Sequence, residues 1–464
     1  MSVTLDSLAT SFQGLFPAML FTCSQDGVPN AAYLSHVEYV DSGHVALSFQ
    51  FFNKSRRNIG ENPNALVMLS DPDTGQGWQL RLRYVRSETE GPLFERMALR
   101  IEAIASYCGL KGIFKLRASD IYQVLGIEPT LEEQPTTVSP RTKHVRHGSA
   151  ADPVFTLKAL RDFADRIQRA DSLEALVDSI LLGLEESFGF KNSMILIPAE
   201  EAGVLVAIAT RGYAQSGAGA EARVGEGIIG MVAEAQKPIR ISGLMRGMLY
   251  AYAMHRGPQP TETEHRRRIP LPGLANPESQ LGVPLIVRRE LVGVLCLESD
   301  SPYRFHEQDK SFIELLGSYL AIAIQNMQLH EESMAETGAE HTAAPPASAS
   351  ARPAPRTGRT RQVTYHRDDE CITIDNEYLI RSLPARILWR LLSTQRKTGR
   401  NEFTNRELRL DKSLSLPEFK DNLESRLLLL RRRLEQKCPD IRIVSRARGR
   451  FALELACELA LSEV

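Results

Sequence analysis

The chain has little of what marks a secreted, membrane or metal-scaffold protein. Its 464 residues include six cysteines, Cys23, Cys108, Cys296, Cys371, Cys438 and Cys457. They lie far apart with no Cys-x-x-Cys pair, so neither a disulfide framework nor a zinc ribbon organises the fold, and a reducing compartment is expected. No run approaches the roughly 18 apolar residues of a membrane span. The opening MSVTLDSLATSFQG lacks the basic-then-apolar order of a signal peptide, so a cytoplasmic place is expected. An excess of one charge is missing too: 56 Lys+Arg stand against 57 Asp+Glu, a net −1. That excludes a uniformly basic nucleic-acid coat and a strongly acidic disordered chain, and leaves any anionic partner to a local patch.

At roughly 100–200 residues per domain, this length calls for several folded units. Two stretches lack apolar periodicity. Residues 131–152 (LEEQPTTVSPRTKHVRHGSAAD) have linker composition. Residues 331–362 contain the Ala/Pro-rich HTAAPPASASARPAPRTGRTR, too poor in large apolar side chains to offset ordering entropy and expected to be a disordered tether. The expected units are therefore 1–130, 153–330 and 363–464, a multidomain α+β protein without internal repeats.

The first unit reads as an antiparallel meander: PAMLFTCS, NAAYLSHVEYV and VALSFQFF, separated by turns at Asp26-Gly27 and Ser42-Gly43. Lys54, Ser55, Arg56 and Arg57 then open a short helix that ends before Asn62-Pro63. A hydroxyl and guanidinium groups at a helix start can grip a phosphate; a solvated basic turn explains the same residues equally well. This order of turns, strands and SRR followed by NIGENPNALVML resembles the FMN-binding split barrel of the pyridoxamine 5'-phosphate oxidase family, over about 15–127. The resemblance implies that Ser55, Arg56 and Arg57 hold an FMN phosphate, that Gln50 lies near the isoalloxazine edge, and that two subunits close the ligand site as a homodimer. The strand from Asn30 to His36 lacks the Arg and Lys usual in that family, which argues against oxidase chemistry. A barrel holding haem, or no cofactor, is the alternative.

The second unit opens with two amphipathic runs, carrying Leu157, Leu160, Phe163 and Ile167, then Leu173, Leu176, Val177, Ile180 and Leu184. Short apolar strands, a hairpin at Arg288–Glu290 and a long closing helix follow. With GEGIIG at 225–230 and LVGVLCLES at 291–299, this order resembles a GAF domain, a sensor α/β domain whose small-molecule ligand stays unnamed. Gly225, Gly227 and Gly230 do not follow a strand of a βαβ unit, so their expected role is structural. Cys296 reads as core in preference to a bilin attachment site or thiol switch. His255 and His265, ten residues apart in a polar stretch, are read as solvated loop residues, with metal or haem ligation as the sharper alternative. The resemblance also implies that a second stripe of the closing helix pairs with another subunit.

The third unit concentrates the positive charge. Residues 361–464 hold 21 Lys+Arg against 16 Asp+Glu, and nine of the basic residues fall between Arg426 and Arg450. Such a stripe suits phosphate backbones, as it would also suit a solvated helix face. A strand-like ECITIDNEYLI precedes a helix from Pro384, a second helix with a Thr404/Glu407 capping box, and a third from Pro417 to Lys437. Phe419, Leu423, Leu427, Leu430 and Leu434 make one buried stripe on the third helix. IRIVSRARGRFALEL follows as a basic hairpin. This resembles the winged-helix DNA-binding domain of response regulators. The resemblance places Lys420, Asn422, Ser425 and Arg426 toward the major groove and Arg431, Arg432, Arg446, Arg448 and Arg450 on the DNA backbone. Leu428 and Leu429 stand where that family is usually polar or basic, so part of the surface is expected to meet a protein.

These modules together indicate a one-component transcriptional regulator that senses a small molecule or redox state and binds DNA. The alternatives are a flavin-dependent oxidoreductase with regulatory appendages and a protein-binding scaffold.

Overall fold

The computed structural model describes residues 3–8, 11–13, 18–50, 54–71, 76–107, 112, 115–130, 153–214, 217–244, 271–337, 360–414, 423–447 and 449–464. The 131–152 linker, 338–359 of the second linker, and the stretch with His255 and His265 lie outside them.

The first unit contains β1 (Ala18–Cys23), β2 (Pro29–Leu34), β3 (Val37–Asp41), β4 (His44–Phe49), α1 (Lys54–Glu61), β5 (Asn64–Ser70), β6 (Gly77–Glu88), α2 (Pro92–Tyr107) and β7 (Ala118–Pro129). The strands form one antiparallel sheet in the order β2-β1-β5-β6-β7-β4-β3. The segment expected to be a single strand from Asn30 into Val40 is split at Ser35–His36, because β2 and β3 occupy opposite ends of this sheet. Two residues span only about 7 Å, so the sheet must curl until its ends meet. Leu20, Val45, Leu47, Val67, Leu80 and Leu82 fill the interior.

The middle unit contains α3 (Pro153–Arg169), α4 (Leu173–Phe188), β8 (Asn192–Pro198), β9 (Val204–Arg211), β10 (Glu221–Arg223), α5 (Gly227–Ala235), β11 (Ile239–Ser242), β12 (Ser279–Val287), β13 (Glu290–Ser299) and α6 (Glu307–Thr337). Its sheet runs β10-β9-β8-β13-β12-β11. Ser172 caps the start of α4 by accepting from the Ala175 amide, and Gly189, at φ 65°, ends it in a left-handed turn. Against one sheet face pack α3, α4 and α6, with Phe163, Phe188, Phe190, Phe305 and Phe312 in mutual contact. The other face is covered by α5 and by α2 of the first unit, whose Ala103 enters the same apolar cluster. Ser106 of α2 accepts from the Gly227 amide at 2.9 Å and donates to the Gly225 carbonyl at 3.2 Å, tying the two units at the glycine turn. A Cβ on Gly230 would lie 2.0 Å from the Arg223 carbonyl, so this glycine serves close backbone approach. Cys296 is fully buried in the core, and burial pushes its thiol upward.

The third unit contains β14 (Thr360–His366), β15 (Cys371–Ile374), β16 (Glu377–Arg381), α7 (Ser382–Thr398), β17 (Glu402–Thr404), α8 (Asn405–Leu410), α9 (Leu423–Lys437), β18 (Ile441–Ala447), β19 (Arg450–Leu455) and β20 (Glu458–Glu463). A four-stranded sheet, β16-β15-β14-β20, precedes and flanks the helices, and β17-β19-β18 forms a second sheet around the basic hairpin. The Thr404/Glu407 capping box is formed at the start of α8. Helix α6 continues to Thr337 and β14 begins at Thr360, so ordered elements enter both ends of the stretch expected to be linker. No helix among the described residues is long and apolar enough to cross a membrane.

Candidate functional site

The basic loop of the first unit opens α1. Its hydroxyl, Ser55, is 3 % exposed and accepts from the Asn30 amide at 2.9 Å. Arg56 turns inward: its Nη1 donates to both Asp120 oxygens at 2.5 and 2.6 Å, Nη2 donates to Ser87, and the guanidinium lies 4.3 Å over the Phe49 ring. Gln50 is buried and accepts from the Ser35 hydroxyl at 2.6 Å. Arg57 alone of the four is exposed. Three of the candidate cofactor residues thus spend polar groups on partners within the unit, and Asp120 adds a negative charge beside them. As arranged, Arg56 is taken up by Asp120, while Ser55 keeps its hydroxyl proton and Arg57 is exposed. The sequence reading missed Asp120 because it lies 64 residues from Arg56.

The middle unit holds a buried polar centre that sequence pattern also missed. Glu298, next but one to Cys296 on β13, accepts from Gln280 Nε2 at 2.5 Å and from the Leu274 amide at 3.4 Å. Burial pushes the Glu298 carboxyl up, and burial together with the Glu298 charge pushes the Tyr213 phenol up. Among the described residues no cluster of His, Cys, Asp and Glu is placed to hold a metal.

The third unit presents α9 to the middle unit. Residues 425–430 are all buried, six in a row, whereas a helix packed on one side buries only a stripe. Leu423, Leu427, Leu430 and Leu434 face the unit's own core. Leu428 joins the aromatic cluster of the middle unit, while Val206 and Ala218 of the middle unit join the core around Leu429. The flanking arginines pair across the same boundary. Arg432 donates to Asp178 at 2.5 Å and to the Ile208 carbonyl at 2.8 Å. Arg431 lies 3.5 Å from Glu174, and Arg426 reaches the Pro198 carbonyl at 3.4 Å. At the start of α7, Arg381 pairs with Glu221 and Glu201, and Arg386 with Glu200. A small cavity of about 40 Å³ remains between the units, beside Leu429, Val206 and Tyr378.

The candidate DNA-contacting residues therefore separate. Ser425, Arg426, Arg431 and Arg432 sit in or beside this boundary, with Ser425 fully buried. Arg446 and Arg450 are exposed on the hairpin, Arg446 pairing with Glu454 at 2.6 Å. Lys420, Asn422, Arg448 and Phe419 lie outside the described residues.

Against protein-family models, residues 170–325 match the GAF domain. The middle unit is a GAF domain. Among solved structures, the chain is similar to the GAF domain from an Acinetobacter phosphoenolpyruvate-protein phosphotransferase, at 23 % identity over 37 % of this chain and 92 % of that one, TM-score 0.30. It is also similar to free methionine-R-sulfoxide reductase from Neisseria meningitidis, at 18 % identity over 40 % of this chain and 99 % of that one, TM-score 0.30. A further similarity, at 18 % identity over 27 % of this chain and 86 % of that one, TM-score 0.24, is to an FMN-binding protein from Syntrophomonas wolfei subsp. wolfei. No curated protein matches. A GAF domain supports a sensing or regulatory role for the chain.

Proposed function

We propose that the chain is a one-component transcriptional regulator. Its split barrel and GAF domain receive a small-molecule or redox signal, and its C-terminal winged helix binds DNA. The observation that carries this reading is the attachment of a GAF domain to a basic module of three helices and an exposed Arg-bearing hairpin. The hairpin arginines Arg446 and Arg450 are exposed and suit phosphate contacts. Helix α6 supports a homodimer, because Leu315, Tyr319 and Ile322, spaced four and three, are 44–49 % exposed along one stripe. A flavin-dependent oxidoreductase is the weaker reading, since Arg56 is committed to Asp120.

Selection of duplexes from a random pool by the full chain at low salt tests the proposal. Enrichment of a common sequence, weakened by Arg446→Ala plus Arg450→Ala, is the expected result; recovery of no duplex above background both by the full chain and by its Glu174→Lys plus Asp178→Lys form would overturn it.

A further inference from the structure

We infer that the acidic face of the GAF domain and a DNA duplex compete for the same side of α9, so that the contact between them is an off-state of the regulator. The inference rests on the DNA-binding reading of the C-terminal module and specifies how that binding is controlled.

Three observations converge on it. The first is coverage. An α-helix with its side chains is about 10–12 Å across and fills a major groove about 12 Å wide. A helix whose residues 425–430 are all buried, one side in its own core and the other against the GAF domain, has no face left to enter a groove.

The second is charge. Glu174 and Asp178 on α4, Glu200 and Glu201 in the turn after β8, and Glu221 on β10 come from separate parts of the GAF domain, yet all meet arginines of the C-terminal module. Arg431 and Arg432, the two expected on the DNA backbone, lie against Glu174 and Asp178 here and must release them before they can turn to phosphates.

The third is the chemistry of Leu428 and Leu429. On a helix reserved for DNA these two would leave apolar surface against a polar groove. Here both are nearly dry, at 1 % and 4 % exposure, against GAF side chains. The leucines fit the docked state and the arginines fit both states. The helix is thus built to exchange partners, and the balance is set by whatever changes the GAF face.

The boundary also lies on elements that continue into the GAF core. Helix α4 carries Glu174 and Asp178 on its surface and Leu176, Val177 and Ile180 in the aromatic cluster beneath. Strand β9 offers the Ile208 carbonyl to Arg432 while its neighbours Leu205 and Ala207 line the opposite sheet face. A ligand that shifts this sheet acts on the latch directly.

The test uses the full chain in three forms: unmodified, Glu174→Lys plus Asp178→Lys, and the milder Glu174→Gln plus Asp178→Asn, which guards against misfolding of the first variant. Two readouts are taken, amide hydrogen exchange over 423–437 and affinity for a mixed-sequence duplex at fixed salt. The expected result is faster exchange in α9 and at least tenfold tighter DNA binding in the reversed-charge form, with the neutral form intermediate. Faster exchange with measurable but unchanged DNA affinity would overturn the competition and leave the DNA-binding reading standing. Unchanged exchange in both variants would overturn the acidic face as the latch. Faster exchange with no DNA binding by any form would defeat the DNA-binding reading, and the inference with it.

Discussion

Several side chains matter for reasons that only three-dimensional placement reveals. His36 sits between β2 and β3, 3 % exposed, with Nε2 2.6 Å from Glu38. Burial first, and then the positive charges of Arg100 and Arg240, depress its basicity, while Glu38 acts in the opposite sense. Glu38 itself is held down to about 2 against its own burial, by the His36 hydrogen bond and by His36, Arg100 and Arg96. His36 is thus a weaker base in the fold than in the unfolded chain, where it takes a proton as pH falls through about 6.5. The unfolded state binds more protons in that range, so stability falls on acidification below about 6.5. Thermal melts across this range should show the loss in the wild type and a weaker dependence in His36→Gln; equal slopes would contradict the assignment. The Arg56–Asp120 pair gives a second prediction. Asp120→Asn leaves a half-buried guanidinium without its counter-charge and should cost about 1–3 kcal/mol in denaturant unfolding; no change would show the pair to be solvent-screened. Ser55 and Arg56 were legible as a basic helix start, but the residues that turn them inward were not: Asp120 and Ser87 are set by strand pairing, which local pattern does not encode.

For the elements, periodicity was informative wherever one face is buried and silent where two are. The stripe Leu423, Leu427, Leu430 and Leu434 marks α9 as a helix with a core side. The opposite side, with Leu428, Leu429 and Arg432, stands out in sequence only as a departure from a DNA-reading surface, and Arg432 finds its partner carbonyl, Ile208, 224 residues earlier in the chain. The run NAAYLSHVEYV is similar: its alternation suits a single strand, but sheet order divides it at Ser35–His36. Helix α6 carries an exposed apolar stripe of Leu315, Tyr319 and Ile322 that suits a second copy of itself. Tyr319→Lys plus Ile322→Lys should halve the mass measured by light scattering, with the monomer fold retained by circular dichroism. An unchanged mass would place any self-association elsewhere.

Across the whole molecule, the described units form a relay in which each borrows surface from the next. Helix α2 of the first unit completes one face of the GAF sheet, and α9 of the third rests on α4 and β9 at the other side. The GAF domain therefore touches both neighbours through separate surfaces of one sheet. The stretches 131–152 and 331–362 stand out in composition because they lack large apolar residues; the packing of α2 and α9 on the middle unit does not, because it depends on charges and leucines far apart in the chain.

The salt dependence of DNA binding tests the central claim most directly. For the full chain, the logarithm of the association constant should fall linearly with the logarithm of salt, at about 0.9 per neutralised phosphate. In Arg446→Ala plus Arg450→Ala that slope should be shallower by roughly two. A flat dependence in the wild type, or a slope unmoved by removal of both hairpin arginines, would contradict the assignment of the third unit as a DNA-binding module.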